Sequence, residues 1–222
     1  MDLEQVMWLA GIIDYIAIGV VAFWGVFCVI LLFRQIGRRR FKSENEANDF
    51  LDELRENLRR GDFDGAEQLC TSREYWYRAV AVLTQGAIEK RHLGLAKVKQ
   101  LLATRFEGQI LSELENLIAW INTVAKSAPM LGLFGTVVGM IGAFSQIAGV
   151  EHPDPGILAD NIAVALNTTA LGLTVAIPMI IAANFIQVRM RRLEDATVEQ
   201  MQEVIDALEP ALAAGRSKAH AG

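Results

Sequence analysis

The sequence predicts an all-α membrane protein with three transmembrane helices and a cytoplasmic helical region. Of its 222 residues, 52% are hydrophobic and 21% are charged, and the apolar residues are concentrated in three blocks. A run of about 20 residues without an ionisable side chain is long enough to span the roughly 30 Å hydrocarbon core of a bilayer. This distribution excludes both an ordinary soluble domain and a polytopic transporter.

The charges that flank the apolar blocks predict their orientation. Basic residues follow the first and the last block, whereas residues 149–156 contain no Lys or Arg. By the positive-inside rule, the N-terminus is then outside and the C-terminus is cytoplasmic. We predict, in order, a periplasmic N-terminus (1–11), transmembrane helix 1 (12–33), a cytoplasmic helical region (34–126), transmembrane helix 2 (127–148), a periplasmic loop (149–156), transmembrane helix 3 (157–188), and a cytoplasmic C-terminal helix and tail (189–222).

The first block is interpreted as a retained anchor. Acidic residues precede or open it (Asp2, Glu4 and Asp14), whereas a secretory signal has a basic leader and a small-residue cleavage site. Without a removable leader, we expect this block to remain as the first transmembrane helix.

The cytoplasmic region has the periodicity of several helices. Ser43 and Glu46 have the spacing of a capping box, and Gly61 is predicted to end the helix that they begin. The same capping arrangement recurs from Asp64 to Glu67, and a further helix is predicted from Tyr75 to Lys90. From about Leu93 the helical period continues, so we expect one helix to run into the second transmembrane segment.

The last two apolar blocks form a predicted transmembrane hairpin with an unusual interior. Gly132, Gly135, Gly139 and Gly142 recur at spacings of three and four, which places them on one face and predicts close helix packing. Pro129 and Pro178 lie inside the two helices and predict kinks.

Polar residues interrupt the third block in its middle. Asn167, Thr168 and Thr169 follow one another there, and polar groups at that depth need a partner or water. The hairpin helices are therefore expected to pack tightly while surrounding something polar.

No enzymatic constellation is found. Three histidines and the two cysteines, Cys28 and Cys70, provide no nucleophile with a base, no metal-ligand cluster and no disulfide framework, and no phosphate-binding loop is present. We therefore expect no enzyme activity, no cofactor, no metal site and no nucleic-acid partner.

Two motifs resemble a known family. The pattern AP-x-LGL-x-GTV-x-GMI at 128–141 and the pattern IA-x-AL-x-x-TA-x-GL-x-VAIP at 162–178 are similar to those of the MotA/TolQ/ExbB proton channel family, and three spans with one large cytoplasmic insertion resemble its ExbB-like members. The resemblance implies a homopentameric ring in the bacterial inner membrane, with a pore lined by the second and third spans. That pore would hold the helices of a dimeric, single-span ExbD/TolR-like partner.

The resemblance also implies a function. The proton motive force would drive the ring and its partner to energise a TonB-like transducer, or a TolA-like one, for biopolymer transport across the outer membrane. Thr136 and Thr169 match pore-facing threonines of the family, and Asn167 and Thr168 are candidate pore-lining neighbours. Pro129 and Pro178 match its motif prolines.

One position departs from the family pattern. Val164 stands where ExbB proteins typically have a glutamate, and Asp160 lies two turns toward the outer rim. Asp14 is expected at the edge of the first span. No carboxylate is then expected at mid-membrane depth, and because hydroxyl groups do not titrate near neutral pH, the proton carrier would come from the partner.

Several alternatives remain open. Oxygen ligands from Thr136, Thr168 and Thr169 could bind Na⁺ instead of serving H⁺, which the subfamily favours. The hydroxyls of Thr136 and Thr169 could simply bond a carbonyl one turn back, and Asn167 could bond a neighbouring subunit. A TolQ-like motor for envelope maintenance and a passive membrane scaffold are the other functional alternatives.

Overall fold

A computed structural model describes the backbone of residues 3–148 and 155–220, and every element assigned within these ranges is helical. Three of its helical stretches are long and apolar enough to cross a membrane: Leu9–Arg39, Leu95–Ile147 and Leu158–Ala213. The all-α class and the three candidate spans are thus confirmed. Most of the predicted loop 149–156 and the two residues at each end of the chain lie outside the described residues.

The elements follow one another in a simple order. They are α1 (Leu3–Arg39), α2 (Glu44–Arg60), α3 (Phe63–Thr71), α4 (Ala79–Glu89), a 3₁₀ turn (Arg91–Leu93), α5 (Leu95–Arg105), a π-helical turn (Phe106–Leu111), α6 (Ser112–Ile147) and α7 (Pro155–His220). They divide into two compact units. We call residues 1–31 and 117–186 the span unit, and residues 32–116 and 187–222 the bundle unit.

The span unit consists of the apolar parts of α1, α6 and α7. Gly25 of α1 lies where a β-carbon would come within 2.8 Å of Val124 on α6 and 3.0 Å of Met179 on α7. Trp24 and Trp120 add an edge-to-face ring contact between α1 and α6 at 6.1 Å. A glycine at this point therefore allows α1 to pack against both other helices of the unit.

Within the bundle unit, the limits of α2 agree with the sequence prediction. The Ser43 hydroxyl accepts a hydrogen bond from the backbone N–H of Asn45 at 3.2 Å, although Glu46 accepts from Lys42 N rather than from Ser43 N. Gly61 ends the helix in the left-handed conformation, with φ of 76°. The face of α2 that contains Phe50, Leu54 and Leu58 is fully buried, as its helical period predicts.

The predicted limits of α3 and α4 are wrong by a few residues. Asp62, not Asp64, caps α3, because its carboxylate accepts from Gly65 N at 2.9 Å. The next helix begins at Ala79 rather than near Tyr75. Tyr75 instead lies in a turn where its ring packs on Phe50 at 4.9 Å, so tertiary packing overrides the helical pattern there.

The long helix predicted from about Leu93 is present and has one irregularity. Leu95 to Ile147 forms one helical stretch that includes the π-helical turn. Within this turn Phe106, Ile110 and Leu111 are all buried, and the Ser112 hydroxyl donates to the Gly108 carbonyl at 2.6 Å. The wide turn brings two consecutive residues, Ile110 and Leu111, into the core.

The predicted continuation of the last helix beyond its apolar part is also present. α7 is unbroken from Pro155 to His220. Its C-terminal part buries Leu193, Val204 and Leu208, and Arg55 of α2 forms an ion pair with Glu203. This part of α7 thus completes the core of the bundle unit.

Candidate ion pathway in the span unit

The α6–α7 contact is built on glycines. A β-carbon on Gly132 would lie 2.7 Å from the Thr168 carbonyl oxygen, and one on Gly172 would lie 2.5 Å from the Ala128 carbonyl oxygen. A β-carbon on Gly139 would come within 2.7 Å of the Ala165 side chain. These distances leave no space for a methyl group, so the two backbones are in direct contact along this stretch.

Two threonine hydroxyls converge on one carbonyl at this contact. Thr168 Oγ1 lies 3.1 Å from the Gly132 carbonyl oxygen and 2.7 Å from that of Ala165. Thr169 Oγ1 donates to the same Gly132 carbonyl at 3.0 Å. Thr169 therefore bonds across the helix interface instead of bonding the carbonyl one turn back.

The other predicted pathway residues lie apart from this pair. Thr136 Oγ1 donates to Leu133 O at 2.7 Å, which is the bond within one helix that we held as the alternative. Asn167 is exposed on α7, as are Val164 and Pro178. Pro129 is half-buried inside α6. The structure thus brings together Thr168, Thr169 and the glycine face, but not Thr136 and Asn167.

An open cavity of about 620 Å³ lies beside the threonine pair. Its wall includes polar groups near one end of the hairpin, where Asn161 donates to Gln146 at 2.7 Å. Gly135, Gly139, Gly142, Val164 and Thr168 also line it. A valine at position 164 leaves this part of the wall apolar.

Asp14 is the main surprise of the span unit. Its side chain is only 2% exposed, and neither carboxyl oxygen has a hydrogen-bond partner among the described residues. The carboxyl group lies where the methyl group of an alanine at position 135 would be, and that same methyl position is 2.6 Å from Thr168 Oγ1.

Asp14 lies near the start of the apolar stretch Leu9–Arg39, and its place at the edge of the first span stays a prediction. The sequence did not predict that its carboxyl group packs against Gly135 and Thr168 of the two hairpin motifs.

The buried guanidinium group of Arg78 in the bundle unit is paired with a carboxylate. Arg78, 6% exposed, donates to Glu46 at 2.6 Å and to the carbonyls of Arg38 and Arg40. Burial, with a smaller contribution from Glu67, raises the pKa of the Cys70 thiol to about 12. Among the described residues, no group of His, Cys, Asp or Glu side chains is arranged to hold a metal ion.

Comparison with known proteins decides the family. A model of the MotA/TolQ/ExbB proton channel family matches residues 81–208, which is more than half of the chain. The chain belongs to the MotA/TolQ/ExbB proton channel family. The Tol-Pal system protein TolQ of Haemophilus influenzae is 33% identical over 159 residues, which cover 70% of this chain and 68% of that protein.

Two proteins named biopolymer transport protein ExbB are also similar. The protein of Pseudomonas putida is 36% identical over 90 residues, covering 39% of this chain and 27% of that protein. The protein of Aquifex aeolicus is 35% identical over 104 residues, covering 45% of this chain and 70% of that protein. The chain thus spans less than two thirds of the P. putida relative.

Family membership and the three long apolar helices make this chain a multi-pass membrane protein of a channel family rather than of an enzyme family. The segment matched by the MotA/TolQ/ExbB model contains the whole α6–α7 contact, but α1 and Asp14 precede it. An acidic residue inside an apolar helix is a signal for function in a membrane protein. That signal identifies Asp14 as a candidate, whereas its position near one end of the apolar block had argued against it.

Proposed function

We propose that this chain is the ring-forming subunit of an ion-driven motor in the bacterial inner membrane. With a dimeric, single-span ExbD/TolR-like partner it uses the proton motive force to energise a TonB-like transducer for transport across the outer membrane. The ring is a homopentamer, and its pore is lined by the second and third transmembrane helices. The orientation of the chain is N-terminus outside and C-terminus in the cytoplasm.

The observation that carries this proposal is the α6–α7 contact within the family-matched segment. Direct backbone packing through Gly132 and Gly172 holds the hairpin as a unit, and the hydroxyls of Thr168 and Thr169 are at the contact. Oxygen groups in a membrane interior are costly unless bonded or hydrated, and they commonly mark ion routes. Their position in a proton channel family supports an ion-conducting role.

An exposed face of α7 supports the proposed pore and the proposed binding of a partner helix. Asn167 is exposed, and Val164 is 57% exposed, so the described part of this chain leaves both open to another helix. An amide on that face can bond a partner helix or line a water-filled pore. In this proposal Thr136 and Asn167 line the pore from positions outside the Thr168–Thr169 pair.

Subunit count is the first test. The chain is co-expressed with a single-span ExbD/TolR-like protein, extracted in mild detergent and weighed by native mass spectrometry. Five copies with two partner chains are expected. A dimer, or a ring that takes up no partner, would contradict the motor architecture.

Thr169→Val tests the ion route. Valine keeps the shape of threonine but removes the bond to Gly132, so we expect partner-dependent work to be lost while the native mass of the complex is unchanged. Thr174→Val is the matched control, since Thr174 Oγ1 bonds only the Ala170 carbonyl of its own helix at 2.8 Å and the residue is exposed. Equal activity of the two variants would argue against the route.

The driving ion is H⁺ in this proposal, and the alternatives predict different responses to the two gradients. An H⁺ motor stops when a protonophore collapses the proton gradient and is indifferent to Na⁺. A Na⁺ motor, with ligands from Thr136, Thr168 and Thr169, stops when Na⁺ is withdrawn. A passive scaffold keeps its output under both treatments.

A TolQ-like role is the second candidate. It is favoured by the similarity to H. influenzae TolQ, which extends over 68% of that protein. Bacterial strains that lack either ExbB with ExbD or TolQ with TolR distinguish the two roles when this chain and its partner are supplied together. Restored transport across the outer membrane indicates the first role, and restored envelope integrity indicates the second.

A further inference from the structure

The buried carboxyl group of Asp14 has surroundings that suit one protonation state. A carboxylate has only acceptor oxygens, whereas a protonated carboxyl group has one donor as well. The β-carbon position of Gly135 is next to the Asp14 carboxyl group and 2.6 Å from Thr168 Oγ1, a hydroxyl that lies within hydrogen-bonding distance of two carbonyls. Neither carboxyl oxygen of Asp14 has a donor among the described residues, and an ionised carboxylate would need donors there.

No charged side chain that the structure describes faces Asp14 from the helices that pack against it. On α6, Lys126 is exposed and precedes Gly135 by nine residues, or about 13 Å of helix, and no ionisable residue follows as far as Ile147. On α7, Asp160 is exposed eight residues before Thr168, and the next ionisable residue is Arg189. On α1, the ionisable neighbours that the structure describes are Tyr15 and Cys28.

An ionised carboxylate in this position would be buried without a counter-charge. Burying an unpaired ion is strongly unfavourable in real proteins, even after relaxation and water entry. The neutral acid avoids most of that cost. The site therefore favours the protonated form of Asp14 whenever the three helices are packed as described.

Protons also have a route to this point. Gly135, whose β-carbon position adjoins the carboxyl group, and Thr168 both line the 620 Å³ cavity. The Ser145, Gln146 and Asn161 side chains in its wall offer the polar partners that ordered water needs. Opening of the contact between α1 and the hairpin would expose the carboxyl group to that water.

We propose that Asp14 is a proton-binding site of the span unit, which takes up a proton when its carboxyl group is enclosed against Gly135 and Thr168 and releases it when the group meets water. This chain then carries a protonatable carboxyl group on α1, in addition to any acid that a partner supplies. The inference rests on the proposed function for the direction in which the proton moves, but not for the existence of the site.

The test uses the full chain in complex with its partner, reconstituted in lipid nanodiscs. Dicyclohexylcarbodiimide reacts with protonated carboxyl groups in apolar surroundings, and mass spectrometry locates the modified residue. We expect modification of Asp14 that decreases as pH rises, no modification at the exposed Asp160, and loss of the signal in Asp14→Asn. An unmodified Asp14 at every pH, or protection by Na⁺ at constant pH, would overturn the proposal.

Two glycine variants test whether the pH profile of modification depends on the surroundings of Asp14 or on helix packing in general. Gly135→Ala places a methyl group against the Asp14 carboxyl group, so we expect the pH profile of modification to shift. Gly19→Ala is the control, because a methyl group there meets no atom within 4 Å, and it should leave the profile unchanged. Identical profiles in both variants would contradict the assigned surroundings.

The work done by the complex then distinguishes failure of the proton site from failure of the proposed motor. If Asp14 is modified as expected but the output does not depend on the proton gradient, the site stands and the proposed motor fails. If the output is proton-driven but Asp14 is unmodified at every pH and Asp14→Asn works normally, the motor stands and the proton site is rejected. Asp14→Glu, which restores a carboxyl group, is expected to recover part of the output.

Discussion

The span unit and the bundle unit are both helical, but different groups lie between their helices. In the bundle unit the contacts are large apolar side chains such as Phe50, Leu54 and Leu83, which are almost completely buried. In the span unit the central contact is backbone on backbone through glycines, while large residues such as Phe23, 75% exposed, and Ile181 face outward. Two solvents account for this difference.

Different contacts stabilise helix packing in water and in lipid. Apolar surface that leaves water lowers the free energy, so a helix in water buries its largest apolar residues. Apolar surface that leaves lipid gains almost nothing, so helices in a membrane associate through close van der Waals contact and hydrogen bonds. The two units of this chain follow these two rules, and each rule can be tested by substitution.

The largest effect is expected at the buried ion pair of the bundle unit. Arg78→Met leaves Glu46, whose side chain is only 16% exposed, without a counter-charge, which should destabilise the bundle unit by about 3–5 kcal/mol. Amide hydrogen exchange of α2 and α4 in the full chain measures the change. Arg60→Met is the control, because the Arg60–Glu56 pair is exposed and should contribute about 0–1 kcal/mol. Equal effects would show that burial does not determine the cost.

Gly132 of the span unit and Gly61 of the bundle unit test this comparison further, because each position requires glycine for a different reason. Gly132 is within a regular helix but lacks space, so Gly132→Ala should cost about 1–3 kcal/mol through overpacking against the Thr168 backbone. Gly61 has open space around it but φ of 76°, so Gly61→Ala should cost about 1–2 kcal/mol through backbone strain.

Asparagine and serine variants distinguish these two causes. Gly61→Asn should recover part of the loss, because asparagine tolerates the left-handed conformation. Gly132→Ser should be no better than Gly132→Ala. Local hydrogen exchange near each site is the measurement, and rescue of position 132 by serine would disprove the steric explanation.

The smallest effect concerns Cys70. Its pKa of about 12, against 9.0 for a free thiol, means that the folded state holds this proton more tightly than the unfolded state. Ionisation of the thiol therefore does not affect stability below pH 9, and stability falls between pH 9 and about 12 by at most about 1.4 kcal/mol per pH unit.

A comparison of wild type with Cys70→Ala isolates this contribution. Unfolding of the bundle unit is followed as a function of pH, and the wild type should lose more stability than the variant above pH 9. Reaction of Cys70 with a maleimide at neutral pH should be very slow in the folded chain. A rapid reaction would contradict its burial.

Local signals in the sequence predicted much of the bundle unit. Ser43 and Gly61 mark the ends of α2 correctly, because capping and the left-handed conformation depend on a few neighbouring residues. The start of α4 could not be predicted in this way. The position of Tyr75 in an aromatic cluster and the burial of Arg78 against Glu46 depend on residues 25 to 35 positions away along the chain.

In the span unit, too, contacts between helices could not be predicted from local sequence signals. The glycine spacing predicted a closely packed face, and the structure places Gly132 and Gly139 at that contact. The contact of Asp14 with Gly135 could not be read from the order of residues, because it depends on where α1 meets the hairpin. The bond from Thr169 to Gly132 likewise joins two helices, so spacing within either helix could not distinguish it from a bond one turn back.

The π-helical turn at Phe106–Leu111 has a consequence for insertions and deletions. Such a turn accommodates one residue more than a regular helix would need, so deletion of one residue there can restore α-helical geometry. At 3.6 residues per turn, that deletion rotates the residues before the turn by about 100° relative to those at its end. Val98 and Leu102 before the turn and Leu111 at its end all belong to the core of the bundle unit, and after the deletion they could no longer all face that core. The chain length within this one turn therefore determines which residues of this helix are buried in the bundle unit.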